Sequence, residues 1–329
     1  MTALPDPEPA ATQPSPSAIE RFAIPLAALA SALLAILFLS LGAAGAPGLP
    51  FVGVPVVRVA HRNGLGSALL AASLAGALLA GVSFLDVSAR NLVSPVVMMG
   101  LMAGLPAFFA GLVRGGAEPS REYLALAVSG CALLAAFLMV PPVLGARPMG
   151  DDVAAAVDAM IPGAMASYSK ANVDPETAVR VRATLEAVRD FSRSYWLGLV
   201  GSFWVLGSAV TFYAGARSAR PAPSAQRTRF EALSLPALLA PVFVAAGAVT
   251  ALTPGTLRQA AGDVLIPLVA LYFVAGLSII CHFARKWFRA RILRIGLYTL
   301  VIYFPLNVAV ALLGLFDWYA SFRRRGEKA

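Results

Sequence analysis

The chain predicts an all-α, polytopic transmembrane helix bundle of about eight spans plus one short half-length segment, with a helical loop outside the membrane. Three observations predict it. Hydrophobic residues make up 59% of the 329 residues and charged residues only 13%, whereas a soluble domain carries about 25% charge. Apolar runs of about 20 residues recur, the length a helix needs to cross a hydrocarbon core about 30 Å thick. The basic surplus, a formal net charge of +9, collects at the ends of those runs. Cytoplasmic loops and anionic headgroups produce that placement, and it argues against a nucleic-acid surface.

Residues 1–20 are rich in Pro, Ala and Ser, and lack the positive n-region of a secretory signal; they predict a disordered tail. An N-terminal transmembrane half is expected over 21–143. Its first span runs from Phe22 to Leu41 and ends at a Gly/Pro run, Gly42 to Gly48. Pro50–Ala60 is apolar but half a span long and contains Pro55, which suits a re-entrant or protein-packed helix. Further spans are expected at Leu65–Ser83, Leu92–Val113 and Tyr123–Val143. Gly100 and Gly104 form a GxxxG; in a chain this rich in Gly and Ala, ordinary intramolecular packing is favoured over a dimer seam.

Between 144 and 194 the composition turns polar, with Asp151, Asp152, Asp158, Asp174 and Glu176 among several arginines. Asp174-Pro175-Glu176 is a helix start: a capping carboxylate, proline at the first position, and an acid near the positive end of the dipole. Val181, Leu185, Val188 and Tyr195 follow at helical spacing. An extramembrane helix pair is expected, its second helix leading into the next span and its mixed charges forming a solvated surface. The C-terminal transmembrane half, 195–325, then holds spans at Trp196–Tyr213, Leu235–Leu252, Val264–Phe283 and Leu293–Leu315, with a tail at 326–329. Arg217, Arg220, Arg227 and Arg229 mark a Pro/Ser-rich cytoplasmic loop. Alternation from that loop puts Arg323–Arg325 on the opposite side, against the positive-inside rule. A break at Pro305, turning the last segment into two half-helices that return to the basic side, would resolve the conflict, as would one crossing more or fewer earlier in the chain; both charge clusters are expected inside.

No GxSxG, HExxH, Walker or dinucleotide fingerprint occurs in a suitable setting, so a non-catalytic protein without cofactors is expected. Two cysteines, Cys131 and Cys281, lie in apolar runs as small packing residues, and with only two histidines a zinc site of the usual composition is not expected. Polar groups at membrane depth are the default ligand-binding candidates: Arg58, Asp86, Arg90 and Asn307. Each also has a structural reading. Arg58 can snorkel to the headgroups with Arg62, Asp86 and Arg90 can form a local i,i+4 pair, and Asn307 can cap a broken helix. Pro305, Asp317, Arg323, Arg324 and Arg325 are expected as anchors, with Asp317 pairing one of the arginines to fix the depth of the helix end.

Arg229-Phe230 with Pro236, Leu271-Tyr272-Phe273 with Gly276-Leu277, and Gly314-Leu315-Phe316-Asp317 with Phe322-Arg323 together resemble the YybS-like family of uncharacterised bacterial membrane proteins. Arg62-Asn63-Gly64 resembles that family's basic-glycine turn. Ala275 and Ser321 depart from it, standing where a glutamine and a second aspartate are usual. The resemblance implies similarity to the substrate-binding S-components of energy-coupling-factor transporters, which bind a vitamin-like molecule and dock on a separate energising module. It implies a multi-pass protein of the bacterial cytoplasmic membrane whose partners are membrane lipids and an energising transporter module or another membrane protein. Ala23, Ala27, Ala28 and Ala32 of the first span would suit small-residue docking. The expected role is a solute- or lipid-binding transport component; the alternative is a scaffold recruiting partners through 144–194.

Overall fold

The computed structural model describes residues 18–85, 97–143, 149–170, 174–220, 222–287 and 306–320, and every regular element among them is helical. In chain order these are α1 (Ala18–Ser40), a 3-10 helix (Gly42–Gly53), α2 (Val54–Asn63), α3 (Leu65–Leu85), α4 (Val97–Arg114), α5 (Pro119–Val143), α6 (Met149–Lys170), α7 (Pro175–Ser194), α8 (Trp196–Ser218), the single turn α9 (Pro223–Arg227), a short 3-10 turn (Phe230–Ala232), α10 (Leu239–Leu252), α11 (Gly255–Trp287) and α12 (Asn307–Ala320). Of these, α1, α3, α4, α5, α8 and α11 are long and apolar enough to cross a membrane, and α10 and α12 are shorter apolar helices.

The half-length segment is longer than its composition suggests. The Gly42–Gly48 run does not break the chain into a loop; it winds into the 3-10 helix, which feeds directly into α2. A 3-10 helix rises about 2.0 Å per residue against about 1.5 Å for an α-helix. The two pieces together therefore rise about 39 Å, enough to traverse the bilayer. They run parallel to α8: Pro50 lies against Gly207, Val57 against Gly215, and His61 meets Ser224. Thr211 Oγ1 donates to the Pro50 carbonyl and, at 3.1 Å, to Gly207 O. Such bonds are what allow irregular backbone at membrane depth.

The alanine face of α1 is turned inward. Ala27, Ala28, Ala32 and Ala35 are buried, and α1 packs on α3 and on the 3-10 segment. Docking through Ala27, Ala28 and Ala32 is therefore ruled out; small side chains let these helices approach within one chain. The GxxxG segment packs within the chain, against α3 and the 3-10 segment, as expected, but not through its glycines. Gly100–Gly104 forms a π-helical turn in which the Leu105 N–H bonds Gly100 O, and neither glycine is approached by a neighbouring helix. Pro106 follows at once and supplies no N–H, a setting that favours a shifted hydrogen-bond register.

At the centre is α8. In its most apolar window 56% of residues are buried, against 22% for α5, and the 3-10 segment, α2, α4, α5 and α11 all pack on it. Its basic end is closed by the loop that the arginines marked as cytoplasmic. That loop is a strap rather than a free linker. Ser224 Oγ lies 3.1 Å from His61 Nδ1, Arg227 donates to Val113 O at 3.2 Å, and Glu231 pairs with Arg285 at 2.7 Å. Ser278 Oγ donates to Leu233 O, and the Ser234 N–H donates to Ser120 Oγ, both at 3.3 Å.

Outside the spans, α6 and α7 form the expected hairpin. Asp174 accepts from Thr177 N at 3.2 Å, with Pro175 at the first position. Surface pairs lace the hairpin, including Arg182–Glu186 at 3.0 Å and Arg189–Asp158 at 3.3 Å. Hydrogen bonds to Asp190 and Asp158 raise the Arg189 pKa above its ordinary value. Tyr195 breaks the helix, and α8 begins one residue later.

The last described helix corrects the topology. Gly276 of α11 lies against Val310 of α12, and Gly314 against Tyr272, so the two helices are antiparallel and touch backbone to backbone. Thus α12 carries the chain away from Arg285, toward the end where α11 starts, and does not return to the basic end. Pro305 and Arg323–Arg325, on which the half-helix expectation turned, lie outside the described residues.

Two outcomes follow. Reporter fusions within 217–229 and after Ala329 should report opposite sides of the membrane; same-side signals would contradict the antiparallel α11–α12 pair. Gly276→Leu should destabilise the protein in detergent by about 2–3 kcal/mol or more, since its side chain would meet the Val310 carbonyl. An unchanged thermal midpoint would refute the close contact.

Candidate functional site

Helices α5 and α11 both pack on α8 but have no extended contact with each other. A groove of about 560 Å³ lies between them, with α8 as its floor. Its walls are almost wholly apolar, among them Ala135 and Met139 of α5, Val200 and Val205 of α8, and Val264 and Leu268 of α11. The rim residues Val128, Met139 and Val264 are exposed, so the groove opens sideways, toward lipid. Along α11 it extends from Gln259 to Leu271, a rise of about 18 Å, close to half the thickness of a hydrocarbon core.

The sequence builds this shape from small and rigid residues. Gly201 leaves a notch for Pro267; a Cβ there would stand 2.8 Å from the proline Cγ. Cys131 Sγ donates weakly to Gly201 O at 3.6 Å. Its free thiol is half-buried, so its expected role as a packing residue places it in the groove wall.

At the end away from the arginine strap the groove becomes polar. No side chain of Tyr195, the residue before α8, caps that helix, whose first N–H groups would otherwise be orphaned. Asp263 of α11 supplies the missing acceptor, its Oδ1 taking the Gly198 N–H at 2.8 Å. A carboxylate there also suits the positive end of the α8 dipole. Pro267, four residues on, removes the N–H that would have bonded the Asp263 carbonyl. Beside it is a second cavity of about 400 Å³, lined by Asp151, Asp190, Arg193, Trp196 and Gln259 with Gly150 and Ser194. Gln259 borders both cavities, so an apolar slot and a polar vestibule adjoin.

Of the ligand-binding candidates, the two among the described residues, Arg58 and Asn307, do not line this groove. Arg58 is exposed on α2, four residues from the exposed Arg62 near the basic end of that helix, a placement that fits snorkelling. Asn307 is exposed and its Oδ1 accepts the Val308 N–H at 2.9 Å, closing on the start of its own helix. Asp317 is half-buried on α12, and the arginines expected to pair with it, Arg323, Arg324 and Arg325, lie outside the described residues, as do Asp86 and Arg90.

Sequence reading missed Asp263, Gln259 and the vestibule. The signal was present in part: Asp263 stands at the head of an apolar run, where a carboxylate calls for a partner. A span that begins at Val264 leaves Asp263 in a loop, whereas α11 starts at Gly255.

A polytopic helical membrane protein with a lipid-facing groove is the class these features define. Residues 29–318 match the family described as Predicted membrane protein (DUF2232), and the chain belongs to that family. No curated protein and no solved structure matches it.

Asp263→Ala should cost about 1 kcal/mol of stability by removing the cap of α8, while Asp263→Asn should retain most of it. Unfolding midpoints in detergent measure both; equal losses would mean that the carboxyl oxygen is not acting as a cap.

Proposed function

We propose that this protein is a non-catalytic ligand-binding component of the bacterial cytoplasmic membrane, and that its ligand is lipid-like and enters sideways from the bilayer. The observation that carries this reading is the apolar groove between α5, α8 and α11, which opens to lipid and ends at polar groups. Its volume lies within the 300–1,000 Å³ of ordinary ligand sites, and an apolar wall with a few convergent polar groups is their usual composition. Neither Arg58 nor Asn307 is among the residues that line it. A transport role of the S-component kind, with an energising module as partner, accords with the sequence resemblance. The docking face would then differ from the alanine stripe of α1.

A second reading draws on the hairpin. Met160 of α6 and Val179 of α7 are each about two-thirds exposed, which accords with a scaffold that recruits a protein through 144–194. Deleting the hairpin separates the two: partners captured by the full chain would be lost under the scaffold reading and retained under the groove reading.

The groove is tested by filling it. Ala135→Trp should abolish retention of an alkyl photoprobe by the purified protein while leaving the thermal midpoint within a few degrees of wild type. Equal labelling of wild type and variant would overturn the proposal.

A further inference from the structure

The polar vestibule narrows the chemistry of the ligand, given the groove reading above on which this inference rests. We infer that it takes a zwitterionic phospholipid headgroup, with the phosphate on Arg193 and the ammonium among Asp151, Asp190 and Trp196. The walls carry two carboxylates, one guanidinium and one indole. A guanidinium matches phosphate oxygens in a forked, charge-assisted geometry. An indole face with carboxylates nearby is the recognised environment for an ammonium. An anionic headgroup would find one cation and two like charges. A neutral one would leave both signs of charge unused.

The existing pairing allows such a guest. Arg193 and Asp151 form an ion pair at 2.9 Å, yet their side chains remain 64% and 44% exposed, so neither is locked in place and solvent screens the pair. Asp190 pairs through Oδ1 with Arg189 at 2.9 Å and is 67% exposed. A zwitterion can exchange these partners without leaving a charge unpaired. The depth also fits. The slot runs about 18 Å from Gln259 to Leu271, one leaflet of hydrocarbon, so a chain lying in it sets its headgroup at the interface beside Trp196, where tryptophans concentrate.

The test uses the full chain in detergent, exchanged with equal amounts of phosphatidylethanolamine, phosphatidylcholine, phosphatidylglycerol and diacylglycerol, with bound lipid counted by native mass spectrometry. Soluble phosphoethanolamine serves as competitor. Wild type should retain the two zwitterionic lipids over phosphatidylglycerol by about tenfold, the factor set by one ammonium contact with the indole and its neighbouring carboxylates. Arg193→Gln should weaken retention of all three phospholipids relative to diacylglycerol, Asp190→Asn should reduce the preference for the zwitterionic pair over phosphatidylglycerol, and both should leave diacylglycerol retention unchanged. Equal or better retention of phosphatidylglycerol overturns the inference. So does full displacement of bound lipid by millimolar phosphoethanolamine, which would make the site one for a soluble zwitterion. Diacylglycerol retained with no discrimination among headgroups refutes the headgroup assignment but leaves the groove standing. Retention of no lipid at all refutes the groove itself.

Discussion

The contact on which the site depends is the lock between α5 and α8. The Trp204 indole fills the space over Gly130, where any Cβ would collide with the ring, and donates to Leu126 O at 3.4 Å. In return the Tyr123 hydroxyl donates to Val205 O at 3.0 Å. Each helix thus satisfies a polar aromatic tip with a carbonyl of the other. In lipid, where apolar contact alone gives no drive for association, such packing and hydrogen bonding hold helices together. The groove opens just beyond this lock, along the turns of α5 and α8 that Cys131, Met139, Val200 and Leu197 line. Without the lock, α5 would have no fixed distance from α8 and the slot no fixed width.

Helix α11 does four jobs along its length. Near its start Asp263 caps α8, at its middle Pro267 and Leu271 wall the groove, and farther on Gly276 seats α12. Beyond that, Ser278 and Arg285 hold the strap. A displacement of α11 at the groove would therefore be felt at both ends of the bundle, because packed elements shift as units.

The spans were legible because their signal is local. Apolar length identified α1, α3, α4, α5 and α8, and Asp174-Pro175 marked the start of α7 as a cap should. What failed to show depends on geometry between segments. Nothing in Gly42–Gly53 distinguishes a 3-10 helix from a turn, because Gly and Pro composition is common to both; Thr211 and Gly207, more than 150 residues away, decide it. The strap failed to show for the same reason. Ser224 and Glu231 read as loop until His61 and Arg285 stand beside them. The groove was the least visible, since apolar residues that face lipid and those that face a cavity in the same bilayer have one composition. Arg58 was legible as a charge at depth, but only the exposed face of α2 settles which way it leans.

The stretch from Gly42 to Asn63 has a consequence for how the protein is made. It carries Arg58, His61 and Arg62 toward its basic end, where each arginine costs less than the about 2.5–3.5 kcal/mol of one at a helix centre. Its 3-10 backbone also depends on Thr211 and Gly207, which are synthesised much later. This segment would be a poor candidate to enter the bilayer alone. Its buried backbone finds its partners only once α8 stands beside it. The order of synthesis therefore makes α8 the element on which the N-terminal half completes its own insertion.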